Sequence, residues 1–218
     1  MRSFSVVLLA MVILMACGTS LTSQDELKSA LTGVREQHQL YRLQMDSVAK
    51  IEGWQSPTIQ RLYEGQRKLD SVNLAEVEEI IDRYGYPRKD LVGELARVPF
   101  EVIRHSGDSV MINYSEIILD AGINGDLPMD QVASFYDQIL VAQRQPQEYG
   151  TQVWIDFIEN KKTGVRYDSL YLWPVRNYTS VDARRISAGL DSLANHLRRY
   201  NIDPAKGYVL KKSGGAPL

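Results

Sequence analysis

The sequence predicts a mainly α fold, a multi-helix globular domain with one small antiparallel β-hairpin near its C-terminal third. Two patterns support this prediction. Apolar residues recur at helical spacing across residues 23–143. Further along, the spacing alternates, with Val153 and Ile155 on one face and Trp154 on the other. We therefore expect residues 145–152 to join a helical body to a β-hairpin.

Length and composition are typical of one globular domain. The chain has 218 residues, of which 44% are hydrophobic and 24% are charged, which is enough to build a substantial core. Its formal net charge of -2, from 25 basic and 27 acidic side chains, provides no basic surface for a phosphate backbone. Nucleic acid is therefore not expected as a partner.

The N-terminus has the features of an export signal. Arg2 precedes an apolar run from Phe4 to Met15, and no acidic residue interrupts it. This run is shorter than the about 20 residues of a membrane-spanning helix. We expect residues 1–16 to be a signal peptide, with a transmembrane anchor or a plain secretory signal as the alternatives.

The end of this segment, Leu14-Met15-Ala16-Cys17, resembles a bacterial lipobox. The resemblance implies cleavage before Cys17, lipidation of that residue and attachment to a membrane of the cell envelope. Several acyl chains anchor a protein stably where one does not. Cys17 is the only cysteine, so a lipidated chain has no thiol for catalysis, metal binding or a disulfide.

The mature chain begins with an expected tether over residues 17–22. A capping box, Ser23-Gln24-Asp25-Glu26, predicts the start of a first helix that ends near Ile51. Ser56-Pro57 predicts the start of a second helix. Asn73 resembles the cap of a third helix, which ends at Gly85-Tyr86-Pro87.

Three more helices follow before the junction. We expect a fourth helix from Asp90 to Ser106 with a kink at Pro99, a fifth from Asp108 to Gly122, and a sixth from Pro128 to Gln143.

The hairpin is predicted over residues 151–172, with its turn at Asn160–Gly164. Its apolar face requires cover, which the sixth helix or the C-terminal helical region could supply. We expect the hairpin to dock through the fourth and sixth helices, and Gly150 to have a positive φ. A last helical region runs over residues 181–200 with an interruption at Gly189. These elements define one domain over residues 23–203, followed by a flexible tail at 204–218.

Several short motifs together resemble a known family. They are Tyr86-Pro87, Val92-Gly93, His105 with Asp108, Asp137, Gln147-x-Tyr149-Gly150-Thr151-Gln152, Trp173-Pro174, Val181-Asp182-x-Arg184-Arg185 and Gly189-Leu190. Over residues 40–200 the chain resembles an uncharacterised bacterial domain-of-unknown-function family with a Q-x-Y-G-T-Q signature. The resemblance implies no particular activity.

His105 is the first candidate for chemistry, because a histidine at a helix C-terminus with Asp108 just beyond it suits acid–base catalysis. Asp137 is a second carboxylate candidate, and Asp46 and Asp70 could join a carboxylate cluster. The alternative for each is structural, as a helix cap or a packed side chain. His38 and His196 are expected on charged helix surfaces without a role.

The junction supplies candidates for ligand binding. Tyr149, Thr151 and Gln152 can hydrogen-bond to a polar ligand, and Arg184 can pair with an anion; a tight turn and an internal salt bridge are the alternatives. No metal site and no cofactor are predicted, and the common hydrolase and nucleotide-binding motifs are absent from the sequence. We expect a binding or scaffold module of the cell envelope with an unidentified polar small molecule or envelope protein as partner. The alternative is an envelope enzyme that uses His105 with a nearby carboxylate.

Overall fold

The computed structural model describes the backbone of residues 7–159, 166–205 and 208–212, and side chains within 23–156 and 169–205. The described residues are mainly helical, as predicted, and form two compact units. The first unit ends at Val110 and the second begins at Met111. The sequence did not indicate this division.

The first unit begins with a long helical hairpin. Helix α1 spans Val7–Glu52, and α2 spans Pro57–Tyr84. The expected tether at residues 17–22 and helix start at Ser23 are wrong, because α1 is already helical from Val7 and no proline interrupts it. The side chain of Cys17 lies outside the described residues, so its lipidation stays a prediction.

Helix α2 starts where predicted, with the Ser56 hydroxyl accepting a hydrogen bond from the Ile59 amide at 3.2 Å. A new helix at Asn73 was also predicted, and this is wrong. Asn73 lies within α2 and is completely buried. The buried face of α2 continues on both sides of it at seven-residue intervals, so packing against neighbouring helices overrides the cap-like sequence. These buried residues are Ile59, Gln66, Asn73 and Ile80.

The predicted fourth helix is divided into three parts. They are α3 at Lys89–Val92, a 3-10 turn at Gly93–Ala96, and α4 at Arg97–Arg104. Gly93 ends α3 with a φ of 63°. Pro99 then lies in the first turn of α4, where no backbone N–H is needed, so the expected kink does not occur.

Helix α1 runs parallel to the segment that contains α3 and α4. Gln24 donates a hydrogen bond to the Leu91 carbonyl at 2.8 Å, and the His38 and His105 rings have centroids 5.2 Å apart. Within each pair the two residues are 67 positions apart in the sequence. The same offset at both points means that the two segments run in the same direction. The interior between these helices includes Leu31, Val34, Phe100 and Ile103.

The second unit begins with short helices. Helix α5 spans Asp108–Asn113 and crosses the boundary between the units, and α6 spans Ser115–Ile123. The predicted fifth helix is therefore two helices. Helix α7 spans Met129–Ala142 and confirms the predicted sixth helix.

A small antiparallel sheet follows. Strands β1 (Val153–Glu159) and β2 (Arg166–Leu172) pair with Val153 opposite Leu172, which confirms the hairpin; its expected turn at residues 160–164 lies outside the described residues. Strand β3 (Tyr208–Lys212) pairs antiparallel with β2. The prediction of a flexible tail is wrong for these five residues, because the open edge of β2 satisfies their backbone groups. Residues 213–218 lie outside the described part.

Two C-terminal helices cover the hairpin. After a 3-10 turn at Tyr178–Ser180, α8 spans Val181–Ser187 and α9 spans Leu193–Arg199, with Gly189 between them. The core there combines β2 with these helices, so this cluster takes its cover from the C-terminal region, one of the two alternatives, rather than from the helices through which docking was expected. Its buried members are Leu170, Val181, Leu193, Leu197 and Ile202.

None of the helices among the described residues has the length and apolar character needed to cross a membrane.

Candidate functional site

Asp137 is the centre of a hydrogen-bond network in the second unit. Its side chain, on α7, is 0% exposed. Its oxygens accept hydrogen bonds from the amides of Glu148, Tyr149 and Thr151 at 2.7, 3.0 and 2.9 Å, and from the Thr151 hydroxyl at 2.9 Å. Burial raises the pKa of Asp137, while these bonds act in the opposite direction. These hydrogen bonds occupy both carboxylate oxygens of Asp137, so neither oxygen is placed to take a proton from a substrate.

Arg185 holds the same loop from the other side. Its guanidinium is also 0% exposed and donates to the Tyr149 carbonyl at 2.6 Å and to the Gly150 carbonyl at 3.2 Å. It also pairs with Asp191 at 3.2 Å. Burial lowers the pKa of Arg185, and Asp191 opposes this effect. A buried carboxylate and a buried guanidinium therefore bind opposite polar groups of one loop backbone.

Gln147 closes the loop internally. Its side-chain oxygen accepts from the Gln152 amide at 2.8 Å, and its nitrogen donates to the Trp173 carbonyl at 2.7 Å. Gln152 in turn donates from its side chain to the Ser134 carbonyl at 3.1 Å. Gly150 has the predicted positive φ, at 68°. We refer to residues 145–152, held by Asp137 and Arg185, as the clamped loop.

The other predicted ligand-binding residues also have internal partners. Arg184 donates to the Glu148 carbonyl at 2.8 Å and lies 3.6 Å from the Glu148 carboxylate. Burial raises the pKa of the Tyr149 hydroxyl, and the charge of Asp137 adds to this effect. His196 contacts the Thr151 carbonyl at 3.0 Å and is not on a charged surface as expected. The geometry favours the tight-turn reading of the clamped loop over a ligand-binding one.

His38 in the first unit is in a different situation. It is only 7% exposed, against the expected surface position, and its Nε2 atom has no hydrogen-bond partner among the described residues. Burial lowers its pKa to about 4, and the charges of Arg42 and His105 add to the shift. At neutral pH His38 is therefore an uncharged, buried ring with an unused polar atom.

His105 faces the same space from α4, where it caps the helix C-terminus as predicted. Its Nδ1 atom lies 2.7 Å from the Glu101 carbonyl, which can only accept a hydrogen bond. In the neutral ring Nε2 is then the acceptor. His105 is exposed, and its ring centroid is 5.2 Å from that of His38.

The two rings line a cleft of about 510 Å³ between α1 and α4, within the first unit. This is within the usual size range for small-molecule sites. The wall formed by α1 carries Arg35, His38, Arg42 and Asp46, which share one face of the helix. Glu101 lines the opposite wall. We call this space the histidine cleft.

The predicted catalytic residues are divided between different surroundings. Asp108 is exposed in the first turn of α5 and is not among the residues that line the histidine cleft. Asp137 belongs to the second unit. Asp70 is paired with Arg42 at 3.0 Å. Among the described side chains, no group of three or more histidine, cysteine or acidic residues is arranged to hold a metal ion.

The sequence analysis gave His38 no role, and it named Gln147 and Arg185 within the motifs of the family resemblance without predicting their burial. Only the fold shows that all three are buried. A usable signal was present for His38. It occupies the same helical stripe as Leu27, Leu31 and Val34, at spacings of three and four residues, which predicts burial.

These features define a helical protein with a small sheet, a clamped loop and a polar cleft, without a recognised catalytic arrangement among the described residues. The chain belongs to a family of unknown function (DUF6624), whose model matches residues 25–211. The match agrees with the resemblance to an uncharacterised family. It does not include residues 1–17, so the lipoprotein signal stays a prediction. No curated protein and no solved structure matches the chain.

Proposed function

We propose that this protein is a lipid-anchored binding module of the bacterial cell envelope, and that its histidine cleft takes a small polar ligand. The observation that supports binding is the unpartnered Nε2 atom of His38 beside a cleft of about 510 Å³. A buried polar atom without a partner costs about 1–3 kcal/mol. The Nε2 atom is itself buried, so a ligand can supply the missing hydrogen bond once the His38 ring turns toward the cleft, and it then recovers part of this cost.

The anchor is supported by the sequence around Cys17. Metabolic labelling with a palmitate analogue tests it: the wild-type chain should be processed and labelled, and Cys17→Ala should accumulate as an unlabelled precursor. Ser20→Ala is the matched control, because it changes a neighbouring hydroxyl and leaves the lipobox intact. Normal processing of Cys17→Ala with full membrane recovery would contradict the anchor.

The ligand function is tested by titration calorimetry on the full-length protein in mild detergent. The ligands are four classes of small polar molecules: amino acids, short peptides, monosaccharides and phosphate esters. We expect saturable binding for at least one class and a loss of about tenfold or more in His38→Ala. His196→Ala changes a histidine of the second unit and should bind normally. Absence of binding in every class, or unchanged affinity of His38→Ala, would contradict the proposal.

An acid–base enzyme is the second candidate. The observation that favours it is the pair of imidazoles in one cleft, where the lowered pKa of His38 keeps that ring uncharged. The carboxylates that line this cleft with His105 are Asp46, Glu94 and Glu101, and Asp108 is not among them. Turnover of any bound ligand that is lost in His105→Ala, with affinity retained, would select the enzyme.

A further inference from the structure

Most charged side chains around the histidine cleft are already paired. Three ion pairs form around the cleft among the described side chains. One of them involves the half-buried guanidinium of Arg42. The pairs are Arg42 with Asp70 at 3.0 Å, Lys89 with Glu94 at 3.6 Å, and Arg97 with Glu101 at 3.8 Å.

Arg35 and Asp46 are the charges of the cleft that remain. Both side chains are exposed, and neither makes an ion pair within the part of the chain that the structure describes. They lie on the same wall, eleven positions apart on α1, which corresponds to about 16 Å along the helix axis. The unpaired charges of the cleft are therefore positive at Arg35 and negative at Asp46, beside the paired charges of Arg42, Glu94, Arg97 and Glu101.

The centre of the cleft suits an extended backbone. His105 presents an Nε2 acceptor, since its Nδ1–H is used by the Glu101 carbonyl. His38 lines the same space, and a turn of its ring would offer the buried, unpartnered Nε2 atom to a ligand. Leu43 and Val98 supply apolar surface beside these polar atoms. Peptide groups alternate donors and acceptors along a chain, and they are a natural match for two neighbouring imidazoles.

We propose that the histidine cleft binds a short peptide with free termini, its carboxylate at Arg35 and its amino group at Asp46. This proposal rests on the ligand-binding function proposed above. An extended chain rises at most about 3.3–3.6 Å per residue, so three to five residues span the distance once both side chains reach inward. Neutral sugars make no use of the two terminal charges, and a simple anion uses only one of them.

The test is calorimetry on the full-length protein in mild detergent with four forms of tetraalanine: unmodified, N-acetylated, C-amidated and doubly capped. Each cap removes one terminal charge and leaves the rest of the peptide intact. We expect each single cap to weaken binding about fivefold, the effect of one exposed charge pair. The doubly capped peptide should be weaker still.

Variants assign each terminus to its partner. Arg35→Gln should weaken the unmodified peptide about fivefold and make C-amidation harmless, and Asp46→Asn should do the same for N-acetylation. Both positions are exposed, so folding should be unaffected. Glu36→Gln is the matched control, because it removes an exposed charge of α1 that does not line the cleft.

The outcomes separate this proposal from the one on which it rests. If peptides fail to bind while sugars or phosphate esters bind through His38, the peptide assignment is wrong and the ligand-binding function stands. If all four peptide forms bind equally, the terminal assignment is overturned. If no class binds, both proposals fail.

Discussion

The two units differ in whether their buried polar groups have hydrogen-bond partners. In the second unit, Asp137, Gln147 and Arg185 are all 0% exposed and all have several partners. In the first, His38 and Asn73 are buried with polar atoms that find no partner in the part of the chain that the structure describes. Gln66 of the first unit and the half-buried Gln131 of the second each leave one oxygen unpaired as well.

This difference separates structure from function within one chain. A fully paired network stabilises a loop and leaves little for a ligand to gain. An unpaired buried group lowers stability, so it persists where another requirement keeps it, such as binding or helix register. We therefore expect the signature-like loop to act in folding, and the helical stripe of α1 to carry the proposed ligand site.

The largest expected effect is at Asp137. Asp137→Ala leaves three loop amides and a hydroxyl without their acceptor, and should lower the free energy of unfolding by about 3–5 kcal/mol. Urea unfolding followed by tryptophan fluorescence measures it, since Trp154 and Trp173 lie in the same unit. Asp182→Ala is the control, because this exposed carboxylate accepts one amide hydrogen bond, from Leu193 at 2.7 Å. Equal effects of the two substitutions would contradict the central position of Asp137.

A smaller loss is expected at Gly150. A Cβ atom there would lie 2.9 Å from Leu193 Cδ1, on a backbone with φ of +68°. Gly150→Val should therefore cost about 1–3 kcal/mol in urea unfolding. Gly189→Val separates the two causes, because Gly189 has φ of +77° and open space around its Cβ position. If both substitutions cost the same, backbone strain alone explains the effect, and if Gly150→Val is harmless, the clamped loop is only a linker.

Sequence patterns predicted the parts of this fold that depend on local chemistry. Ser56-Pro57, the hairpin and the positive φ of Gly150 were all predictable, because caps, alternation and glycine act over a few residues. The break between α3 and α4 and the continuity of α2 through Asn73 were not, since tertiary packing decides between equivalent local signals.

The candidate site was harder to predict than the fold. His105 was identified from its place at a helix end, but its neighbour His38 is 67 residues away in sequence and meets it only when α1 and α4 pack. Asp137 and the Tyr149–Gln152 segment were selected as candidate site residues, and the structure places them in a network that stabilises the loop, while their catalytic and ligand-binding roles stay predictions. Residue type alone does not distinguish a binding group from a structural one.

In the first unit, replacing the buried Asn73 with an apolar residue should raise the free energy of unfolding, whereas the substitutions in the second unit lower it. Both polar atoms of its buried amide lack partners in α2. Asn73→Leu keeps a similar volume without the unpaired atoms, and should raise the free energy of unfolding by about 1–2 kcal/mol in urea titrations. Asn195→Leu, at an exposed position of α9, is the control and should have little effect. Destabilisation by Asn73→Leu would mean that the amide has a partner or fixes the register of the helices.

The smallest effect concerns the pH dependence of stability at His38. The folded protein keeps this ring neutral down to its lowered pKa of about 4, whereas the unfolded chain binds the proton near the ordinary histidine pKa of 6.5. Between these pH values the unfolded state binds more protons, so stability falls as the pH is lowered through this window. At pH 5.5 the His38 contribution to this loss is on the order of 1 kcal/mol. His38→Gln removes the titrating ring and keeps a polar side chain. The fall in unfolding free energy between pH 7 and pH 5.5 should therefore be smaller in His38→Gln than in the wild type, by that amount. Equal falls would show that His38 is accessible to protons in the folded state, and the contrast between a satisfied second unit and an unsatisfied first unit would lose its main support.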